Sequence, residues 1–265
     1  MSNTNAQTHP NHLTDADIQF WKDNGYFCYH HQLLPETKFK ALQDYFEELL
    51  DDRKEGKRPE NMDVPHFQYP KLFDWLLADE VLDFVERFLG PDLILWSSHF
   101  ICKPPGDGKR VPWHEDSAYW GDRLDPHEVM TVWLAVDDSN VENGCMRVIP
   151  GTHGHGFSDY EVVADPDKQV FGREVVADQL DEERAVDLEL KAGECHMHHS
   201  KTIHGSNPNT SDKRRCGYTM RYMPSNVKFN PDSVLTTHGI YLARGRDLAG
   251  NEYAEPGKQH EKGIR

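Results

Sequence analysis

Cysteine is sparse: Cys28, Cys102, Cys145, Cys195 and Cys216 are odd in number, widely spaced and form no C-x-x-C pair. That excludes a disulfide framework and a thiolate zinc site, and predicts five reduced thiols, buried and inert. Positive charge is in deficit, with 29 Lys and Arg against 45 Asp and Glu and a formal net charge of -16. Phosphate backbones and anionic bilayers require a clustered basic surface that releases counterions, so neither nucleic acid nor membrane is expected as a partner. Runs of 18 apolar residues are missing, and the N-terminal MSNTNAQTHPNH has no apolar signal-peptide core; the expected location is the cytoplasm. No internal repeat or low-complexity tract stands out.

The content that is there suits a folded enzyme-sized unit. Hydrophobic residues make up 37%, aromatics 11% and charged residues 28%, enough for a core beneath a well-solvated surface. A length of 265 residues is within reach of one all-β domain with added helices. Residues 1–265 are expected to form a single domain, with 1–12 a flexible leader and 224–265 a covering segment or tail. Nothing in the pattern sets an oligomeric state.

Helical signals come first. Thr14 with Asp17 three residues on forms a capping box, Leu13 is placed to staple onto Ile18, and Asn24-Gly25 ends the helix. After the strand-like YFCYH, Pro35 opens a segment with Phe39, Leu42, Phe46, Leu49 and Leu50 at helical spacing. A charged stretch with Gly56 and Pro59 predicts a loop over 52–70, exposed as a lid. Leu76, Val81, Leu82, Val85, Phe88 and Leu89 give a third helix, stopped by Gly90-Pro91.

From Leu93 the pattern shifts to short β-rich runs: LILWSSHFICK, EVMTVWLAV, CMRVIP, VDLEL, HMHHS and GYTMRYM. They predict an antiparallel sandwich or barrel, so the fold class is mainly β with flanking α-helices. The acidic stretch 157–184 is expected as an excursion between strands.

In VPWHEDSAYW, His114 and Asp116 stand two residues apart. On an extended chain such residues share a face about 7 Å apart, within reach of one cation. The segment HSKTIHGSNP offers His204 as a third ligand. Two imidazoles and a carboxylate leave coordination positions open, as in non-haem iron(II) oxygenases; the same donors also fit a zinc hydrolase. Eleven positions after His204, Arg215 opens a strand whose guanidinium can grip a carboxylate bidentately, and Ser206 can add a hydroxyl hydrogen bond.

Together, LTDADIQFWKDNGYF, WHEDSAYW, TVWLAVDDSNVENGCMRVIPGTHGHG and HSKTIHGSNPNTSDKRRCGYTMRY resemble, in order, the phytanoyl-CoA dioxygenase family of iron(II)/2-oxoglutarate oxygenases. The resemblance implies a double-stranded β-helix, the cupin-like jelly roll, with helices packed on one sheet. It implies that His114, Asp116 and His204 hold Fe(II), that Arg215 holds the distal carboxylate of 2-oxoglutarate, and that Ser206 contacts it beside Arg215. Dioxygen would be activated by oxidative decarboxylation of 2-oxoglutarate, and a small-molecule substrate hydroxylated or otherwise oxidised. Family members that halogenate have a small residue at the Asp116 position, so its carboxylate implies oxidation instead.

Other side chains divide between site and scaffold. Trp113, Tyr119, Trp120 and Trp133 flank the triad in sequence and are candidates for lining the substrate pocket, or for core filling. His196, His198 and His199 are expected in structural or hydrogen-bonding roles, and His153 in a turn. Lys103, Lys109, Arg110 and Arg123 are expected on a solvated surface, with an anionic substrate as the alternative. Two other classes stay open: a metallohydrolase, which would leave the Arg215 spacing unexplained and lacks a placed general base, and a non-catalytic jelly-roll binding module.

Overall fold

A computed structural model describes residues 12–52, 58, 62–233 and 238–258. The leader up to residue 11, much of 53–61 and the tail segments 234–237 and 259–265 lie outside the described residues. In chain order the helices are α1 (Asp15–Asn24), α2 (Glu36–Asp52), α3 (Phe73–Leu76) and α4 (Asp79–Leu89). The strands are β1 (Tyr26–Tyr29), β2 (Met62–Asp63), β3 (Leu93–Lys103), β4 (Val111–His114), β5 (Leu124–Asp125), β6 (Met130–Ala135), β7 (Met146–Val148), β8 (Tyr160–Val162), β9 (Arg173–Val175), β10 (Val186–Leu188), β11 (Cys195–His199), β12 (His204–Ser206), β13 (Arg215–Pro224), β14 (Lys228–Phe229) and β15 (Tyr241–Arg244).

Two antiparallel sheets face each other. The larger runs β1-β11-β6-β13-β3-β15 and the smaller β10-β7-β12-β4. From β3 onward the chain passes back and forth between them, β3 to β4, β6 to β7, β10 to β11, then β12 to β13. This is the double-stranded β-helix.

Side-chain alternation divides each strand of the larger sheet between two environments. On β6, Val132 and Leu134 join the helix-covered core, while Thr131, Trp133 and Ala135 face the smaller sheet. Outside, Phe39, Leu42, Phe46 and Leu49 of α2 pack with Val81, Leu82, Phe84 and Val85 of α4 over Leu95, Phe100, Tyr218 and Tyr222. Phe46 stacks on Phe100 at 4.8 Å and Phe100 on Tyr218 at 4.1 Å; each buried aromatic contributes about 1.5–3 kcal/mol of transfer free energy. The polar inner face of this sheet is therefore backed by a rigid apolar layer.

Local signals set the element ends. Thr14 caps α1 in a complete capping box, and Gly25 closes it in the left-handed region at φ 73°. The third helical pattern divides in the structure: Leu76 ends the short turn α3, and α4 starts only at Asp79. The 52–70 segment departs from an exposed lid where it is described, since Pro65, His66 and Phe67 form a buried 3-10 turn against Phe73 and Tyr241. Within the tail segment, β15 pairs with β3 at the sheet edge. The excursion at 157–184 carries the hairpin β8–β9. All five cysteines are free thiols and four are buried; burial pushes Cys28 and Cys145 up to about 12. Among the described residues no helix is long and apolar enough to cross a membrane.

Candidate metal centre

The smaller sheet brings His114 and His204 together. They are direct cross-strand partners on β4 and β12, and their rings lie 4.1 Å apart between centroids. Strand β4 ends at His114; Glu115 stays extended, and Asp116 opens a 3-10 turn with its carboxylate on the same side. Asp116 Oδ1 lies 3.8 Å from His114 Nε2 and 3.9 Å from His204 Nε2. One ligand atom from each residue falls within 4.8 Å of the others.

Hydrogen bonds prepare both imidazoles as ligands. His114 Nδ1 donates to the Pro112 carbonyl and His204 Nδ1 to the Thr202 carbonyl, both at 2.8 Å. A proton held on Nδ1 leaves the Nε2 lone pair for a metal. Burial, reinforced by His114 and His198, holds His204 well below the ordinary imidazole range, so it stays neutral. Burial opposes charge on Asp116, but Arg221, His114, His198 and His204 outweigh it and hold the carboxyl well below the usual range. One carboxylate and two imidazoles that each turn Nε2 inward match the donor set of a non-haem Fe(II) centre.

Ser206 is two residues beyond His204 on β12 and shares its face. Arg215, buried on β13, approaches Ser206 Oγ at 3.5 Å and donates twice to the Gly144 carbonyl, from Nη2 at 2.7 Å and Nε at 3.1 Å. Its guanidinium lies 5.4 Å from the Trp133 ring. Trp133 in turn stacks on His196 at 5.2 Å with a 9° interplanar angle. A Cβ on Gly217 would overlap the Trp133 ring, so only glycine at this position lets the indole lie across β13.

The four aromatic candidates separate. Tyr119 stands 5.8 Å from the His114 ring, and Trp120 lies beneath the Arg221 guanidinium at 5.9 Å. Trp133 belongs to the Arg215 side. Trp113 points the other way from His114, into a buried cluster with Ile149, Val175 and Ile203, capped by Arg147 at 5.4 Å. Of the cations expected on the surface, Lys103 is instead fully buried and donates to the Asn207 and Ser206 carbonyls. Arg110 pairs with Glu174.

His199 and His153 take scaffold roles, His199 Nε2 with Glu128 at 3.0 Å and His153 Nε2 with the Lys22 carbonyl at 3.0 Å. His196 and His198 are held by ring packing, His196 on Trp133 and His198 on His204. Both are buried, and among the described residues neither ring nitrogen of either has a hydrogen-bond partner. His198 stacks against His204 at 4.4 Å and points Nε2 at Asp116 Oδ2 from 3.6 Å.

Three side chains near the triad were not singled out in the sequence. Arg221 Nε donates to Asp116 Oδ2 at 3.3 Å. Phe171, from the excursion, reaches 4.9 Å from the His114 ring and 5.1 Å from Tyr119. Buried Glu115 accepts from Ser158 Oγ at 3.0 Å and Tyr160 OH at 2.9 Å, fastening the excursion beside the triad.

The profile of the phytanoyl-CoA dioxygenase family matches residues 21–217. A probable alpha-ketoglutarate-dependent hypophosphite dioxygenase of Stutzerimonas stutzeri is 29% identical over 160 residues, 60% of this chain and 54% of that protein. The human peroxisomal phytanoyl-CoA dioxygenase is 28% identical over 229 residues, 75% of this chain and 65% of its own length. This chain thus spans between half and two thirds of these curated relatives. The solved structure of the non-heme monooxygenase ThoJ, in its apo form, superposes with a TM-score of 0.70 at 27% identity, covering 91% of this chain and 89% of that one.

Proposed function

The chain belongs to the phytanoyl-CoA dioxygenase family, and on that premise we propose that it is a non-haem Fe(II)- and 2-oxoglutarate-dependent dioxygenase. In this reading it hydroxylates, or otherwise oxidises, a small organic molecule and releases succinate and carbon dioxide. The observation that carries the reading is the convergence of His114, Asp116 and His204, with both imidazoles tautomerically fixed to offer Nε2.

The iron, when bound, supplies the activation of dioxygen coupled to decarboxylation of 2-oxoglutarate. The chain's own residues bind and orient. His204 and Ser206 are neighbours on one face, about 7 Å apart along the strand. A five-carbon diacid would bridge such a spacing, with one carboxylate end beside the residues that would hold the iron and the other at Arg215 and Ser206. The Arg215 fork is held by the Gly144 carbonyl and the Trp133 face, which orders it before ligand arrives and lowers the entropic cost of binding. Trp133, stacked on His196, closes the wall beside the diacid chain.

Tyr119, Trp120 and Phe171 border the open side of the triad and are assigned to the substrate. The Glu115 network holds the excursion that delivers Phe171. A formal net charge of -16 makes the surface a poor receptor for a polyphosphate carrier, so a small substrate is favoured over a CoA thioester.

Anaerobic addition of Fe(II) and then 2-oxoglutarate tests the reading. A weak visible charge-transfer band is expected, followed by succinate release once a substrate panel and air are supplied. A band absent at saturating ligand refutes the oxygenase. A band without succinate, with or without substrate, points to a binding module instead.

A further inference from the structure

One rung of the larger sheet lies opposite Asp116. Across the strands, Tyr26 pairs with His198, His198 with Thr131, Thr131 with Arg221, and Arg221 with Ser97. Residues paired in this way sit at one height and project to one face. Three of them reach the same atom. Arg221 Nε and the Thr131 hydroxyl each donate to Asp116 Oδ2 at 3.3 Å, and His198 Nε2 faces it at 3.6 Å. The other oxygen, Oδ1, points at the Nε2 atoms of His114 and His204.

We propose that Arg221, Thr131 and His198 are positioning residues that hold the outer oxygen of Asp116, so that this carboxylate meets the metal through Oδ1 alone. The inference rests on the metal site of the proposed function. A carboxylate is free to chelate a cation with both oxygens, and doing so here would consume one of three positions left open by a facial triad. Chelation by 2-oxoglutarate and an adjacent place for dioxygen need all three. Engaging Oδ2 from the opposite sheet removes the chelating mode before any ligand enters.

The clamp is itself braced. Arg221 Nη1 lies 3.4 Å from Ser97 Oγ, and the guanidinium rests over Trp120 at 5.9 Å. Thr131 and His198 come from adjacent strands whose outer faces pack on the helices. Asp116 sits on a short 3-10 turn, the least regular part of the site, so its orientation depends on these contacts more than on its own backbone. Partners of this kind behind a metal ligand are worth about 10–100-fold in metal affinity or activity.

The test uses Co(II) in place of Fe(II), with wild type, Thr131→Val, Arg221→Lys and Arg221→Met. Each folded protein is titrated anaerobically with Co(II), its visible d–d spectrum recorded, and then titrated with 2-oxoglutarate. For Arg221→Met the expected result is Co(II) binding that still saturates but with affinity weakened about 10–100-fold, a shifted d–d spectrum before any 2-oxoglutarate is added, and a weakened affinity for 2-oxoglutarate. Arg221→Lys should recover part of that loss, and Thr131→Val should move the spectrum in the same direction by less. A folded Arg221→Met protein with a wild-type spectrum and unchanged 2-oxoglutarate affinity overturns the inference. If Arg221→Met does not fold, the isosteric Thr131→Val decides on the same two readouts. Failure of the wild type to bind Co(II) and 2-oxoglutarate sinks the metal site, and this inference with it; normal wild-type binding with unmoved variants sinks the inference alone.

Discussion

Gly217→Ala should damage co-substrate binding while sparing the metal. Gly217 sits mid-strand on β13, opposite Ala135, and the added methyl would occupy space taken by the Trp133 indole. Alanine gains roughly 0.5–1 kcal/mol over glycine in a strand interior. Overpacking against a buried ring costs about 1–3 kcal/mol, so net destabilisation of about 1–2 kcal/mol is expected. For a chain of this size that lowers Tm by roughly 2–8 °C. The second effect is chemical. Trp133 holds its face 5.4 Å from Arg215, and losing a desolvated cation–π contact of about 0.5–2 kcal/mol weakens the fixed guanidinium by roughly 2- to 30-fold in ligand affinity. The metal triad is spared because Gly217 lies four residues from Arg221, about 13 Å along the strand. The assay pairs a thermal melt with metal and 2-oxoglutarate titrations by calorimetry. Unchanged 2-oxoglutarate affinity, or equal losses for metal and 2-oxoglutarate, would refute the placement of Trp133 beside the co-substrate.

Three further outcomes follow from the same geometry. Asp116→Ala should abolish turnover in metal-replete buffer, and should also lower stability by about 3–5 kcal/mol because Arg221 is left buried without its carboxylate; chemical denaturation and succinate release measure both, and wild-type turnover contradicts the ligand role. Arg215→Ala should weaken 2-oxoglutarate binding about 10- to 150-fold, from a charge-assisted contribution of about 1.5–3 kcal/mol, with little change for the substrate; equal losses for both ligands would assign Arg215 elsewhere. Burial holds His196, His198 and His204 below the ordinary imidazole value of 6.5, so the unfolded chain takes up protons near that pH that the folded chain does not. Stability of the metal-free protein is therefore full above that range and falls beneath it, by about 1.4 kcal/mol per pH unit for each such imidazole; a Tm that stays flat from about pH 7.5 to about pH 5.5 contradicts this.

Much of the scaffold was legible because the signals are local. The Thr14–Asp17 box, Gly25, the α2 stripe and the six β-rich runs each depend on a few neighbouring residues, and each reappears in the structure at nearly the expected bounds. His114, Asp116 and His204 were visible as residue types at suggestive spacing. What remained hidden depends on which strands become neighbours. Lys103 appears as an ordinary strand-end cation in sequence, yet it lies opposite Arg215 in β3–β13 and is buried there. Trp113 adjoins His114 in sequence, yet alternation along β4 sends adjacent residues to opposite faces. The same period-two rule held an overlooked clue: Arg215, Gly217, Thr219 and Arg221 share one face, so once Arg215 is placed inside, Arg221 must follow. Phe171 had no such signal, because hairpin β8–β9 is positioned by the Glu115 contacts and not by pattern.

The pairing of His114 with His204 across β4 and β12 would give a metal held there, on the proposed reading, a part in folding as well as chemistry. A one-residue slip between these strands would turn one imidazole to the far face and destroy the chelate. On the proposed reading only the correct alignment would bind a metal tightly, so a bound ion would reinforce the register that β7 already gives β12. Ligand at a thousandfold excess over its dissociation constant adds about 4 kcal/mol to that one alignment.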